Sequence, residues 1–203
     1  MKKYRILILV LSLLAVALQG CGEMSVTFSA LDRRSTGTMI DDEGIELRAT
    51  NRIEEKFGKS VHVNVTSYNR SVLVTGEVPN QAAKAEIEKI IATTGTTRGV
   101  TNELQVADGT SLASRASDTT ITGKIKARFL DANKFNTLLV KVVTENGVVY
   151  LMGIVTEAEA NDAVDLARTT SGVRKVVKVF DYCKPSEAIC APRPQAKSEE
   201  PKK

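Results

Sequence analysis

Residues 120–141 carry an uneven set of charges. Asp131 is their one acidic residue, against five basic residues: Lys124, Lys126, Arg128, Lys134 and Lys141. Leu130 and Phe135 lie among these cations, and Thr120 precedes them. Basic side chains beside exposed apolar ones bind anionic lipid head groups, with about 1 kcal/mol for each Lys or Arg. The segment therefore predicts a phospholipid-binding surface. The open alternative is that the cations only solvate a helix while Leu130 and Phe135 pack inward.

The chain also contains an internal repeat. Residues 63–78 align without a gap on residues 140–155, and six of the aligned positions are identical. The repeat predicts two copies of one structural module. The earlier counterpart of the basic segment, residues 45–57, holds three basic and three acidic residues, so the basic excess belongs to the second copy alone. The later helix of that copy is acidic instead, with Glu157, Glu159, Asp162 and Asp165.

The thiol of Cys21 is a candidate site of lipidation. Three basic residues lie within the first five positions, and an apolar run follows at residues 6–18. That run is too short for a membrane-spanning helix, which needs about 20 residues, but it suits a signal peptide. The sequence Leu-Gln-Gly-Cys at residues 18–21 resembles the bacterial lipoprotein box. The resemblance implies a signal peptide at residues 1–20 and an acylated Cys21 that anchors the chain in a membrane. In the enteric pattern an Asp directly after the lipidated Cys retains a lipoprotein at the inner membrane. This chain has Gly22 at that position, so the resemblance implies the outer membrane.

No pattern of catalytic residues is present in the sequence. The one histidine, His62, lies in an alternating run where Val61, Val63 and Val65 are predicted to face inward, so we expect His62 to be exposed. The chain has no Cys-x-x-Cys pair, phosphate-binding loop or nucleophile motif. We therefore predict no enzymatic activity, no cofactor and no metal site.

The two ends of the chain differ from its middle. Without the three signal-peptide cations, 25 basic residues (28 − 3) face 24 acidic ones, and this balance predicts no nucleic-acid binding. Residues 183–203 are rich in Pro, Lys and Glu and are predicted to be a disordered tail. Cys183 and Cys190 either pair as a disulfide in an oxidising compartment or remain free thiols.

Each module has the pattern of a small α+β domain. An amphipathic helix is followed by two strands, a second helix and a last strand, which predicts a three-stranded mixed sheet covered by two helices. Asp42 and Asp118 are predicted to cap the first helices. The predicted domains are residues 41–106 and 118–182, with a tether at 21–40 and a linker at 107–117.

The strand motifs carry a family resemblance. Residues 149–155 read Val-Tyr-Leu-Met-Gly-Ile-Val, after a Val-x-Val strand and an Asn-Gly turn and before a helix and Gly-Val-x-x-Val. This pattern is similar to the BON domain. Together with the lipoprotein box, it makes the chain resemble the dual-BON outer-membrane lipoproteins of Gram-negative bacteria.

The resemblance implies a function in the cell envelope. In that family the second BON domain binds anionic phospholipid, chiefly phosphatidylglycerol, through its first helix and adjoining loop, and the protein supports envelope integrity at the division site. The implied contact residues here are Thr120, Lys124, Lys126, Arg128, Leu130 and Phe135. Members of the family carry Trp at the position of Thr120. The alternative is an adaptor that binds cell-wall-remodelling or outer-membrane assembly proteins.

Overall fold

The structure is a computed structural model that describes residues 32–107, 109 and 111–190. The predicted signal peptide, Cys21 and the tail beyond residue 190 lie outside these residues. Within the described part of the chain, no helix combines the length and the apolarity that crossing a bilayer requires.

Module one contains two helices and four strands. In chain order they are α1 (Thr36–Phe57), β1 (His62–Tyr68), β2 (Ser71–Val78), α2 (Gln81–Ala92), β3 (Gly99–Asn102) and β4 (Gln105–Val106). Strands β1 and β2 form an antiparallel hairpin, while β3 and β4 both pair with β2 in parallel. The crossover through α2 explains the parallel pairing, because it returns the chain to the start of the sheet.

Module two repeats this order. Its elements are α3 (Leu112–Ala132), β5 (Lys141–Glu145), β6 (Val148–Val155), α4 (Glu157–Arg168) and β7 (Lys175–Tyr182). The sheet order is β5-β6-β7, with an antiparallel hairpin and a parallel last strand. The predicted α+β fold of two modules with mixed sheets is confirmed.

The first helix of each module begins earlier than predicted. The Ser35 hydroxyl accepts a hydrogen bond from the Thr38 N–H, and the Ser111 hydroxyl accepts one from the Ser114 N–H, so these serines are the N-caps. Helix α1 thus begins inside the predicted tether, and α3 begins inside the predicted linker. The prediction that Asp42 and Asp118 are the caps is wrong.

Asp42 and Asp118 instead hold the hairpin turns. The carboxylate of Asp42 accepts hydrogen bonds from the backbone N–H groups of Asn69 and Arg70, at 2.9 and 2.7 Å. Asp118 accepts from Asn146 and Gly147, both at 2.8 Å. All four turn residues have positive φ, and the bonds fix this turn against the helix in both modules.

Each module has a core between its helices and one face of its sheet. In module one the core contains Ile45, Ala49 and Ile53 of α1, packed on Val72 and other residues of the sheet. In module two it contains Ile121, Ile125 and Phe129 of α3, packed on Val149 and its neighbours. The spacing of four residues places these side chains on one helix face, as predicted.

The opposite faces of the two sheets contact each other. Leu73 and Tyr68 of module one form a third core with Tyr150, Met152 and Ile154 of module two. Polar contacts surround this core: Asn69 Nδ2 donates to Asp181 at 2.7 Å, Lys141 binds Glu46 at 3.1 Å, and Asn64 Nδ2 donates to Glu145 at 2.8 Å. The modules are therefore packed against each other through their helix-free faces.

The residues after the second module are part of this packing. Cys183 and Cys190 are joined by a disulfide, with Cα atoms 6.0 Å apart, and both side chains are buried in the third core. The Cys183 N–H donates to Val155 O at 3.0 Å. The prediction of a disordered tail is therefore wrong for residues 183–190.

Arg33 fastens the start of α1 to module two. Its guanidinium donates to both carboxylate oxygens of Glu159, at 2.7 and 3.0 Å, and to the carbonyl oxygens of Ile154 and Cys190 at 2.9 and 3.3 Å. Burial alone would raise the pKa of Glu159. The hydrogen bonds from Arg33 and Thr156 and the charge of Arg33 outweigh burial and lower it.

This contact should weaken in acid. The pKa of Glu159 is lower in the folded state than in the unfolded chain. The stability that the contact adds is therefore complete above the ordinary pKa of 4.5 and is lost as the pH falls through the pKa of the folded state. Glu159→Gln is expected to lower the free energy of unfolding at pH 7 by about 1.5–3 kcal/mol and to flatten its pH dependence. Urea unfolding at pH 7 and pH 4 measures both. Glu157→Gln, on the exposed first turn of the same helix, should leave stability within about 1 kcal/mol.

Candidate functional site

The outward face of α3 is an exposed, uncharged surface. It lies on the side of the helix opposite the buried Ile121, Ile125 and Phe129, and all of the residues that form it are exposed. We define the α3 strip as these residues: Leu112, Ala116, Thr120, Gly123, Ala127 and Leu130. The spacing of three and four residues keeps them on one face of the helix.

Lys124 and Lys126 flank the α3 strip on its two sides. Two residues along a helix correspond to a rotation of about 200°, so these side chains leave the helix in nearly opposite directions. Both are exposed, and within residues 32–190 as described no hydrogen bond or ion pair engages either ammonium group. A helix of this kind can lie on an anionic surface with its apolar groups down and both lysines reaching the head groups.

Arg128 is a structural residue of the module. Its Nη1 donates to Leu166 O and to Thr170 Oγ1 of the α4 end, both at 2.9 Å. Arg52 makes the same contacts in module one, with Ile90 O at 3.1 Å and Thr94 Oγ1 at 2.9 Å. Since both copies keep this contact, the guanidinium serves the fold, and the expectation of an open lipid-facing cation at Arg128 is corrected.

Leu130 and Phe135 face in opposite directions. Leu130 is 65% exposed on the α3 strip. Phe135 is 9% exposed and packs edge-to-face on Phe129, with ring centroids 5.1 Å apart. Phe135 is therefore a core residue, and the expectation that it would contact lipid is corrected. Thr120 is exposed, and its hydroxyl donates to Ala116 O at 2.9 Å.

The remaining two cations of the basic segment have protein partners. Lys134 Nζ binds Asp162 of α4 at 2.8 Å, and this hydrogen bond raises the pKa of Lys134. Lys141 binds Glu46 of α1. The acidic helix α4 and module one thus take up part of the basic excess, and Lys124 and Lys126 remain for an external anion.

Helix α1 has a similar apolar face with a different charge. Ile40 and Leu47 are 65% and 64% exposed. Their neighbours on the outer surface include Glu43, Glu54 and Glu55, all exposed. Negative charge beside exposed hydrophobes opposes contact with anionic lipid, so the two modules offer surfaces of different character.

A second polar site lies between the modules. The imidazole Nδ1 of His62 is 3.0 Å from Glu77 Oε2, and Glu145 of module two lies beside them. A cavity of about 320 Å³ opens next to His62 and Glu145. The expectation that His62 simply faces solvent is wrong, because the packing of the sheets covers that face of β1.

Two segments of the chain, residues 41–108 and 117–184, match the model of the BON domain. The chain belongs to the BON family. We refer to module one as BON1 and to module two as BON2. The family match begins close to the predicted domain starts, but both first helices extend beyond it towards their serine caps.

Three curated relatives match this chain over most of its length. The chain is 37% identical to Outer membrane lipoprotein DolP of Haemophilus influenzae, over 82% of this chain and 91% of that protein. It is 32% identical to the 21 kDa hemolysin of Actinobacillus pleuropneumoniae, over 75% and 79% of the two chains. It is 30% identical to Osmotically-inducible protein Y of Escherichia coli, over 69% and 72%. The prediction of a dual-BON protein similar to DolP is confirmed.

A solved structure of CdsD from the Chlamydia trachomatis type III secretion system also matches. Its TM-score is 0.30 at 12% identity, over 70% of this chain and 91% of that chain, which is too distant to support an argument about function.

The structure brings together part of the predicted site. Thr120, Lys124, Lys126 and Leu130 lie on or beside one exposed helix face, while Arg128 and Phe135 belong to the framework. The sequence pattern missed Leu112 and Ala116, which extend the same face, because the predicted helix began at residue 118. The signal that could have identified these two residues is their spacing, since Leu112, Ala116 and Thr120 follow one another at intervals of four.

Proposed function

We propose that this protein is an outer-membrane lipoprotein, anchored by acylated Cys21 and facing the periplasm, whose BON2 domain binds anionic phospholipid such as phosphatidylglycerol. It supports envelope integrity at the division site without catalysing a reaction. The similarity to DolP, whose name describes an outer-membrane lipoprotein, supports the location. The α3 strip with its two flanking lysines is the observation that carries the lipid assignment.

The energies suit a surface that is held near the membrane by an anchor. Two lysines contribute about 2 kcal/mol, and burial of Leu130 contributes about 1.5–3 kcal/mol. A total of about 4 kcal/mol corresponds to a Kd near 1 mM. An anchor on the same chain, a short distance away in sequence, supplies an effective concentration of the same order, so a weak contact is populated once the anchor is in the bilayer.

Charge reversal on α3 tests the lipid contact. Lys124→Glu with Lys126→Glu is expected to weaken binding to phosphatidylglycerol vesicles by at least about 30-fold, from the loss of about 2 kcal/mol of attraction. Sedimentation of the chain from residue 22 onward, which lacks Cys21 and therefore its acyl chains, measures this binding. Vesicles of phosphatidylcholine should bind the unaltered chain only weakly, and they should bind the double variant with the same low affinity.

A matched control lies on the other side of the same sheet. Lys175 and Lys178 are exposed on β7, whereas α3 packs over β5. Their double reversal changes the net charge by the same amount, so it should reduce binding far less than reversal on α3. An equal loss of vesicle binding in the two double variants would mean that binding depends only on net charge, and this result would contradict a site on α3.

The apolar part of the surface has its own test. Leu130→Ser should weaken vesicle binding by roughly tenfold, from the loss of about 1.5 kcal/mol of burial, and Thr120→Trp should strengthen it, because indole rings favour the membrane interface. Both side chains are exposed, so neither change disturbs the core.

A second candidate function is that of a protein-binding adaptor for cell-wall-remodelling or outer-membrane assembly factors. The exposed Ile40 and Leu47 of BON1, beside acidic neighbours, favour a protein partner over an anionic bilayer at that surface. Photo-crosslinking in cells from position 47 and from position 127 separates the two functions. Protein adducts from α1 with lipid adducts from α3 support both, and dominant protein adducts from α3 contradict the lipid assignment.

A further inference from the structure

Three side chains that ligate metals in other proteins meet where BON1 contacts BON2. His62 comes from β1, Glu77 from β2 and Glu145 from β5. Each offers one ligand atom, and these atoms all lie within 4.8 Å of one another. We propose that His62, Glu77 and Glu145 form a binding site for a divalent transition metal ion, Zn²⁺ by its donor set, which links the two BON domains.

The donors and their spacing fit zinc. Zn²⁺ takes imidazole nitrogen and carboxylate oxygen at about 2.0–2.2 Å in a tetrahedral site, which places neighbouring ligand atoms about 3.4 Å apart. His62 Nδ1 and Glu77 Oε2 are 3.0 Å apart, and all three ligand atoms lie within 4.8 Å of one another, so no pair has to approach by more than about 1.4 Å (4.8 − 3.4). The adjoining cavity of about 320 Å³ has room for a water molecule as fourth ligand.

Neighbouring side chains orient one of the ligands. Asn64 Nδ2 and Thr75 Oγ1 donate to Glu145 Oε2 at 2.8 and 3.2 Å. Two donors on one oxygen fix the plane of the carboxylate, as the outer hydrogen bonds of metal sites do. Asn64 and Thr75 belong to BON1 and Glu145 to BON2, so the ligand is held from across the domain contact.

The charges of the site also favour a cation. Glu77 is 5% exposed and Glu145 is 9% exposed. Buried carboxylates are stabilised by a paired cation or by a metal, and the imidazole of His62 already lies 3.0 Å from Glu77. The other charged groups lining the cavity, Arg115 and Asp118, have opposite signs and add no net charge. A divalent ion balances both glutamates.

The repeat shows that the fold does not require these residues. At the constant offset of 77, the counterparts of His62 and Glu77 are Leu139 and Ile154, both buried and apolar. The counterpart of Glu145 is Tyr68, which packs in the third core. His62, Glu77 and Glu145 therefore have no polar equivalents that could ligate a metal in the same way at the matching positions of the repeat. The fold is built there with Leu139, Ile154 and Tyr68 instead.

The single histidine makes the test direct. We would add Zn²⁺ to the full-length protein in detergent and follow the imidazole C–H signals of His62 by NMR, together with the melting temperature. One equivalent of Zn²⁺ should shift both signals and raise the melting temperature. Glu145→Gln should weaken Zn²⁺ binding at least tenfold, and Asn64→Ala should weaken it by about 10–100-fold.

Glu86→Gln provides the control, because Glu86 is a carboxylate of BON1 that pairs with Lys56 away from the site, and it should leave Zn²⁺ affinity unchanged. Unshifted His62 signals at 0.1 mM Zn²⁺ would overturn the proposal, as would equal affinity in the Glu145→Gln protein. The NMR measurement on the unaltered chain decides the matter even where a variant does not fold, and it is independent of vesicle binding.

Discussion

Asp42→Ala is expected to lower the free energy of unfolding by about 3–5 kcal/mol. The carboxylate is 2% exposed and accepts hydrogen bonds from the N–H groups of Asn69 and Arg70 and from Ser67 Oγ, the last at 2.7 Å. It also binds Arg34 at 2.9 Å, and the Arg34 guanidinium lies over the Tyr68 ring. Removal of the carboxylate takes a shared acceptor away from these buried donors and removes the negative charge beside Arg34.

The repeat supplies a graded series for this experiment. Within the part of the chain that the structure describes, Asp118 makes the two turn contacts but no ion pair like that of Asp42 with Arg34, so Asp118→Ala should cost less, about 2–4 kcal/mol. Asp131→Ala, on the exposed surface of α3, should change stability by less than about 0.5 kcal/mol. Chemical denaturation followed by circular dichroism gives the three values. A cost for Asp42→Ala no larger than that for Asp131→Ala would show that the turn does not depend on the helix.

Gly76→Ala is expected to lower the free energy of unfolding by about 2–5 kcal/mol, through overpacking and an unfavourable backbone conformation. A Cβ at Gly76 would overlap the carbonyl oxygen of His62 on the paired strand, and its φ of 118° disfavours any side chain. Gly153→Ala meets the carbonyl oxygen of Leu139 in the same way, but without a positive φ. Its cost should therefore be smaller, about 1–3 kcal/mol.

Gly123→Ala is the control of opposite sign. Gly123 lies in the interior of α3, and an added Cβ would meet nothing within 4 Å beyond its chain neighbours and the nearby helix backbone. Alanine is about 1 kcal/mol better than glycine in a helix, so this variant should be more stable than the unaltered protein. Thermal unfolding of the three alanine variants measures the order. Similar melting temperatures for Gly76→Ala and Gly123→Ala would contradict the close approach of the strands.

The sequence predicted the modules well because their signals are local or repeated. Alternating valines and the Asn-Gly turn of residues 146–147 specify the hairpins, and glycines at 76 and 153 recur at one offset. Asp42 and Asp118 were misassigned as caps because an Asp before an apolar helical pattern has the same signature as an Asp inside the helix that binds a distant turn. The serines at 35 and 111 were masked by polar surroundings.

The site was predicted in part for a different reason. A count of charges in residues 120–141 cannot tell which cations have partners far along the chain, such as Thr170 for Arg128 or Glu46 for Lys141. Phe135 follows the helix end, where periodicity no longer indicates direction. The cluster of His62, Glu77 and Glu145 depends on how two sheets pack, and the separation of up to 83 residues (145 − 62) leaves no local pattern.

In the proposed lipoprotein, the contact of Arg33 with Glu159 limits the length of the segment that joins the lipid anchor to the folded domains. Cys21 precedes Arg33 by 12 residues (33 − 21), which at full extension reach about 40 Å. The point where the folded unit is tied down therefore stays within that distance of the bilayer and lies on BON2. If Cys21 is acylated as proposed, this distance would keep the protein in the layer of periplasm beside its own membrane.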